Sequence, residues 1–479
     1  MITLEFYSKL ANEDIFENET FDLTDQTLNI NRFKTEWVSF ENCTFNCRTL
    51  EFKNIQNKGL TLEFKNCTFN CNVNFLYSTF DNLTFKNTKA LKSLNIGSGV
   101  SKLTLNVFEF SNDSEIEKPK LTADFSIRNT NIEIFVFEKI KHIKGKFLFL
   151  GNTLGKNSNA ISFQDSTITN VLFGKNSFFS FTTFKRVKFN ASEYLKPAGS
   201  AFEFPGFYKN TFSKVSFSEA NFTDTFQFEN CDFLSTTWFE ECENLNNSKL
   251  KFVACEFKGF SLFNKSKINF LDIDRCTFDK SSSFTDAEFN TLKLFEVKFG
   301  GGAYFDEMKI NKVLDKSYLK NKGKKILEWK RTLRAIKQES QKTENKIDFN
   351  NYRNYELAAH YKELRLRTNF KDTSILWATK WSSNFGNWFW AFWFTIISGF
   401  IWYSILYRIE NSGEYNSDQI ESYFISLFRF FLITDFYSPF EAGRNYLSNI
   451  GSWIPFIFGK IFIAFGLYEM IQSFRKFKA

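Results

Sequence analysis

The sequence predicts a multidomain membrane protein: a β-solenoid over residues 1–305, a basic helical connector over 306–387 and a two-span transmembrane domain over 388–479. Three observations carry this. A five-residue phenylalanine period runs through the first segment. The second holds a net charge of +9, while the first sums to −1 and the third to 0. The third holds two largely apolar stretches of 20 residues each.

The solenoid is read from its repeat. "FENCTFNC" begins at Phe40, and a near copy, "FKNCTFNC", begins at Phe64. Phenylalanines five apart recur at Phe40/Phe45, Phe64/Phe69, Phe75/Phe80/Phe85, Phe184/Phe189, Phe212/Phe217/Phe222, Phe228/Phe233, Phe252/Phe257 and Phe284/Phe289, with Ile273/Phe278 in the same spacing. Two residues before the second member stands a small residue: Cys43, Cys67, Val187, Val215, Cys231, Cys255, Cys276 or Ala287. A period of five fits neither a helix nor a single strand. Fixed self-similarity points to a coiled solenoid in which each coil buries itself against its neighbours. In a square coil each five-residue side points one large residue inward at its centre and one small residue inward near the corner.

This pattern resembles the pentapeptide-repeat proteins, whose motif is small–polar–Leu/Phe followed by two freer positions. The resemblance implies a right-handed β-helix over roughly residues 20–305. Residues 90–180 keep the Phe and Asn texture but lose the register, so irregular or widened coils are expected there.

Cysteine is compact and apolar, and five of the eight cysteines occupy the small inward position, so core packing accounts for them. A metal site from Cys43, Cys47, Cys67 and Cys71 is the alternative, although no CxxC knuckle is present. No metal or cofactor is expected. With only His142 and His360, and no GxSxG, P-loop, HExxH or GxGxxG in a supporting context, the chain is not read as an enzyme. Gly97–Gly99 and Gly300–Gly302 read as turns, the second closing the solenoid. The N-terminus carries no secretory signal, which places the first domain in the cytoplasm with reduced thiols.

In the connector, Lys324 to Gln341 reads as a helix with Ile326, Leu327, Trp329, Leu333 and Ile336 on one side. Tyr352 to Thr368 reads as a second helix, giving a helical hairpin. Lys330, Arg331, Arg334 and Lys337 cluster on the first. Arg353, Lys362, Arg365 and Arg367 interleave with Tyr352, Tyr355 and Tyr361 on the second. Cations with aromatics suit phosphate neutralisation and base stacking, so these eight are the candidate ligand-binding residues. The same charge also suits a solvated face or the cytoplasmic flank of a span.

Trp388 to Tyr407 is free of charge and long enough to cross a bilayer core of roughly 30 Å. Trp453 to Gln472 is the second span and carries Lys460 and Glu469, charges that within a membrane face protein or water. Basic residues before the first span and after the second place both termini in the cytoplasm. Between the spans, residues 423–440 begin with a run too short to cross and long enough for a re-entrant half-helix. Span, half-helix, loop, span resembles the two-transmembrane pore domain of tetrameric cation channels. Thr434 and Tyr437 echo the Thr-Val-Gly-Tyr-Gly filter, with Asp435, Phe436 and Ser438 replacing the other three. An amphipathic helix lying on the outer surface is the alternative. Candidate pore residues are Arg429, Thr434, Asp435, Tyr437, Lys460 and Glu469.

A cytoplasmic solenoid joined to a two-span channel also resembles membrane-channel effectors of bacterial anti-phage defence, of the Hailong type. That resemblance implies a homotetramer in the bacterial inner membrane that depolarises it under control of a single-stranded DNA oligomer or nucleotide. The competing expectation is a membrane-anchored scaffold whose β-helix surface binds a partner protein.

Overall fold

The structure is a computed structural model. It describes residues 3–33, 35–98, 103–113, 120–142, 145–157, 161–190, 204–311, 324–364, 369–410, 420–441 and 443–474. The chain forms two compact units, Met1–Val313 and Leu314–Ala479.

The first unit is a parallel β-solenoid of about 11 turns. Its strands stack into two 18-stranded sheets in which every paired strand is parallel to its partner one coil away, as in Phe40 beside Phe64 and Phe64 beside Phe85. The inward phenylalanines form a continuous column from Phe16 to Phe305. Ring centroids along it lie 4.7 Å apart at Phe16–Phe40, 4.8 Å at Phe184–Phe217 and 4.9 Å at Phe263–Phe284. That step matches the spacing of neighbouring strands, so ring stacking and backbone pairing share one repeat. Across the region where the five-residue register is lost, the column continues but loosens. The steps there are 5.6 Å at Phe85–Phe110, 5.8 Å at Phe110–Phe137 and 6.2 Å at Phe137–Phe163.

The coil is not four equal sides. In the last turns Phe257 pairs with Phe278 and Phe278 with Phe299, an advance of 21 residues. The inward positions Ile268, Ile273, Phe278, Phe284 and Phe289 show why: one side holds an extra residue. Corners are turned by residues with positive φ in two columns, such as Asn42, Asn66 and Asn87 in one and Lys209, Asn230, Ala254 and Arg275 in the other. Asparagine tolerates this left-handed backbone better than most residues, which explains "ENC" and "KNC".

The residue after such a corner points inward, and at many corners its backbone N–H leaves the strand ladder for a side chain at the same place in the next coil. At Ala220 and Ala287 it bonds the carbonyl three residues back instead. Ile55 N–H donates to Ser78 Oγ (3.1 Å), Cys242 N–H to Ser266 Oγ (3.1 Å) and Asn176 N–H to Asn210 Oδ1 (3.0 Å). The same side chains donate to a carbonyl of the coil before. Cys67 Sγ reaches Phe40 O at 3.3 Å and Asn176 Nδ2 reaches Phe149 O at 2.8 Å. Buried backbone groups are thus satisfied by a ladder of Cys, Ser and Asn.

All eight cysteines are buried free thiols. Burial raises the Cys242 thiol well above its ordinary value, which keeps it protonated and unreactive. His142 is a core residue. Its Nε2–H donates to Ala123 O (2.7 Å), its Nδ1 accepts from Thr169 N (3.1 Å), and burial lowers its basicity.

Two expectations are corrected at the ends. A helix, α1 (Thr3–Asn12), precedes the first coil and buries Phe6 against Phe21, with centroids 4.9 Å apart. Gly300–Gly302 does not close the solenoid, since Ala303–Tyr304 and Lys309–Ile310 still pair with the coil before. Gly301 is there because a Cβ would sit 2.5 Å from Ser281 N.

The second unit is helical: α2 (Lys324–Lys342), α3 (Lys346–Glu363), α4 (Phe370–Ser383), α5 (Trp388–Glu410), α6 (Ile420–Phe431) and α7 (Ile450–Phe474). Of these, α5 and α7 are long and apolar enough to cross a membrane.

Candidate functional site

The hairpin of α2 and α3 forms, but its second helix begins at Lys346, six residues before the expected Tyr352 and inside the segment read as a polar break, and runs to Glu363. Ile326, Trp329, Leu333 and Ile336 are buried, while Leu327 is exposed and leaves the predicted face. Asn345 caps α3, its Oδ1 accepting from Asp348 N at 3.1 Å.

The candidate ligand-binding cations do not stand as one open cluster. Lys330 Nζ lies 2.8 Å from Glu363 Oε2 and 3.0 Å from His360 Nδ1. Arg334 and Lys337 both hold Glu356, at 2.9 and 2.5 Å. Burial pushes the Glu356 carboxyl up, but hydrogen bonds from Lys337 and Arg334 outweigh it and hold the group below its ordinary range. These three cations therefore knit α2 to α3. Arg331, Arg353 and Lys362 are exposed on the hairpin. Arg365 and Arg367 lie outside the described residues.

The two long apolar helices, α5 and α7, and α6 pack around Tyr403, Leu406, Leu427, Phe430, Phe456 and Ile463. Glycines permit the approach. A Cβ on Gly459 would lie 2.4 Å from the Phe430 ring, and one on Gly466 would lie 2.2 Å from Thr395 Oγ1. The Tyr403 hydroxyl bonds Ser426 Oγ and Tyr423 O, fixing α6 to α5.

Lys460 is 5 % exposed and donates to Phe430 O at 2.8 Å and Leu432 O at 2.6 Å. It caps the C-terminal end of α6, where helix carbonyls lack partners and the dipole is negative. Its ammonium also lies 5.1 Å from the Phe456 ring centroid. The carboxylate whose charge acts on it is Asp435. Glu469 accepts from Ser383 Oγ at 2.8 Å, which ties the end of α4 to α7. The buried charges Lys460 and Glu469 of α7 therefore both have partners inside the fold.

The half-helix expected within 423–440 occupies Ile420–Phe431 and gives way to turns. Residues 432–441 contain no positive φ, and the loop is closed by Asp435 N–H to Leu432 O (3.1 Å) and Tyr437 N–H to Asp435 Oδ1 (3.1 Å). The Thr434 and Tyr437 echo thus does not extend to the alternating backbone of a carbonyl-lined filter. Thr434 is exposed, and Tyr437 packs against Tyr446 at 5.1 Å. Arg429 Nη1 donates to Glu441 O at 2.8 Å and braces the loop. The Ser383–Glu469 bond and α4 itself escaped sequence reading. The signal for α4 was the spacing of Phe370, Trp377 and Trp381.

No family model, no curated protein and no solved structure matches this chain.

Proposed function

We propose that this chain is a ligand-gated ion channel of the bacterial inner membrane, with two spans, cytoplasmic termini and a homotetrameric pore. Its control is by an anionic ligand such as a single-stranded DNA oligomer or a nucleotide, and its output is membrane depolarisation in anti-phage defence. The observation that carries the reading is α6. It is held between the two apolar helices by Lys460, yet it still presents Phe424, Ile425 and Phe428 outward. A helix lying on the outer surface would turn a polar face to water. Beyond Glu421 and Ser422 of its first turn, which are exposed, α6 is apolar on both sides, which suits lipid or a neighbouring subunit within the membrane. Arg331, Arg353 and Lys362 are the cations through which a phosphate backbone would approach the hairpin, with Arg365 and Arg367 beside them in sequence.

The test is mobility shift of the detergent-purified full chain with labelled single-stranded oligonucleotides across a salt series. The reading predicts binding that weakens with salt and is lost on joint Arg331→Glu, Arg353→Glu and Lys362→Glu substitution. No binding at low salt removes the oligonucleotide from the reading.

The scaffold reading is favoured by one separate observation. On the solenoid, Phe179, Phe181 and Phe260 are exposed, and Lys214 sits 5.4 Å from the Phe181 ring centroid and 5.1 Å from that of Trp238. A scaffold predicts that Phe181→Ser abolishes partner binding and that no ion flux exists to be altered.

A further inference from the structure

We propose that α4 lies in the headgroup layer of a lipid bilayer with its tryptophan row facing the acyl chains; this rests on reading α5 and α7 as membrane spans. Phe370, Trp377 and Trp381 are seven and four residues apart, so they share one side of the helix. They are 68 %, 52 % and 64 % exposed, and the two indole rings lie 6.0 Å apart. Ser383 lies on the opposite side and is buried. Lys371 and Lys380 flank the aromatic row on its two sides. Tryptophan with flanking lysine is the composition that settles at a membrane–water boundary: the amphipathic ring sits at headgroup level and the ammonium reaches anionic phosphate.

Continuity with α5 decides in favour of lipid over a protein partner. Only Asn384 to Asn387 separate α4 from Trp388, a link that can carry the chain no further than about 18 Å. Asn384, Phe385 and Gly386 all have positive φ (46°, 62° and 100°), a tight reversal that redirects the chain. Beyond it the exposed aromatics resume at once with Trp388, Phe389 and Trp390. The row on α4 thus adjoins the level at which the span begins.

The consequence is mechanical. The buried Ser383–Glu469 bond fastens the end of α4 to α7, and Lys380 sits over the Tyr361 ring of α3 at 5.0 Å. A helix held by lipid between hairpin and span passes movement of one to the other.

The test uses the full chain in vesicles of phosphatidylcholine and phosphatidylglycerol. Nitroxide labels are placed one at a time by Ser374→Cys on the aromatic side, Asp372→Cys on the other side and Ile397→Cys on α5. The native cysteines are buried, so the introduced thiols are labelled selectively. Power saturation with oxygen and with a water-soluble nickel chelate then reads depth. The expected result is a deep label at 397, a label about 5–10 Å below the headgroups at 374 and a water-exposed label at 372. A deep label at 397 with a water-exposed label at 374 overturns the proposal and leaves the spans standing. Water exposure at 397 overturns both.

Discussion

The two units use aromatic residues in opposite directions. In the solenoid Phe40, Phe64, Phe228 and Phe252 are fully buried and stack ring on ring. In the helical unit Trp377, Trp381, Phe400 and Phe428 face outward. Phenylalanine content alone therefore says nothing about where a core lies. The period does: five residues per side turns the large residue at the centre of each side inward, while an unbroken apolar run on a helix leaves most of its circumference without a protein partner.

The largest expected effect breaks this comparison most directly. Phe228 stacks between Phe207 (4.9 Å) and Phe252 (4.8 Å), so Phe228→Ala should destabilise the solenoid by about 3–5 kcal/mol. Phe400→Ala, at an exposed position, should change stability by about 0.5 kcal/mol or less. Chemical denaturation of the two variants measures both, and equal losses would erase the distinction.

Next comes Lys460→Leu, which preserves bulk but leaves the Phe430 and Leu432 carbonyls without their donor. Each orphaned acceptor costs about 1–3 kcal/mol. Hydrogen exchange at the C-terminal end of α6 should accelerate while exchange in α2 and α3 stays unchanged. Unaltered exchange in α6 would mean that the cap does not hold it.

A comparable test sharpens the solenoid side. Asn176→Ala removes the acceptor for Asn152 N–H and the donor to Phe149 O, at a cost of about 1–3 kcal/mol. Asn176→Ser, which keeps a hydroxyl as at Ser78, should recover part of the loss in thermal stability.

The smallest effect is electrostatic. Glu356 is held below its ordinary value of 4.5 by Lys337 and Arg334 despite the opposing pull of burial. A carboxyl depressed in the fold stabilises above its unfolded-chain value, and that contribution is lost as pH falls through the folded value. The hairpin should therefore loosen as pH drops below about 4.5, followed by circular dichroism. Glu356→Gln should flatten that acid transition and lower stability at neutral pH.

Much of the architecture was legible because its signals are periodic. The inward phenylalanines, the hairpin core at Trp329 and Leu333 and the two long apolar helices all follow from spacing. What escaped depends on contacts far apart in sequence. Nothing near Lys460 in the chain announces that it caps α6, and nothing near Glu469 points to Ser383. The corner ladder was half visible. Cysteine, serine and asparagine at one position look merely small until the unpaired N–H of the previous coil is considered. The hairpin charges were visible as charges, but their pairing with Glu356 and Glu363 needed the partner helix in place.

The central claim is that α5, α6 and α7 build an ion-conducting pore. Its most direct test is electrical recording from the purified full chain in planar lipid bilayers. The account predicts discrete unitary current steps whose amplitude or lifetime changes in Lys460→Leu. A silent bilayer bearing inserted protein, with and without single-stranded oligonucleotide, would contradict it and leave the scaffold.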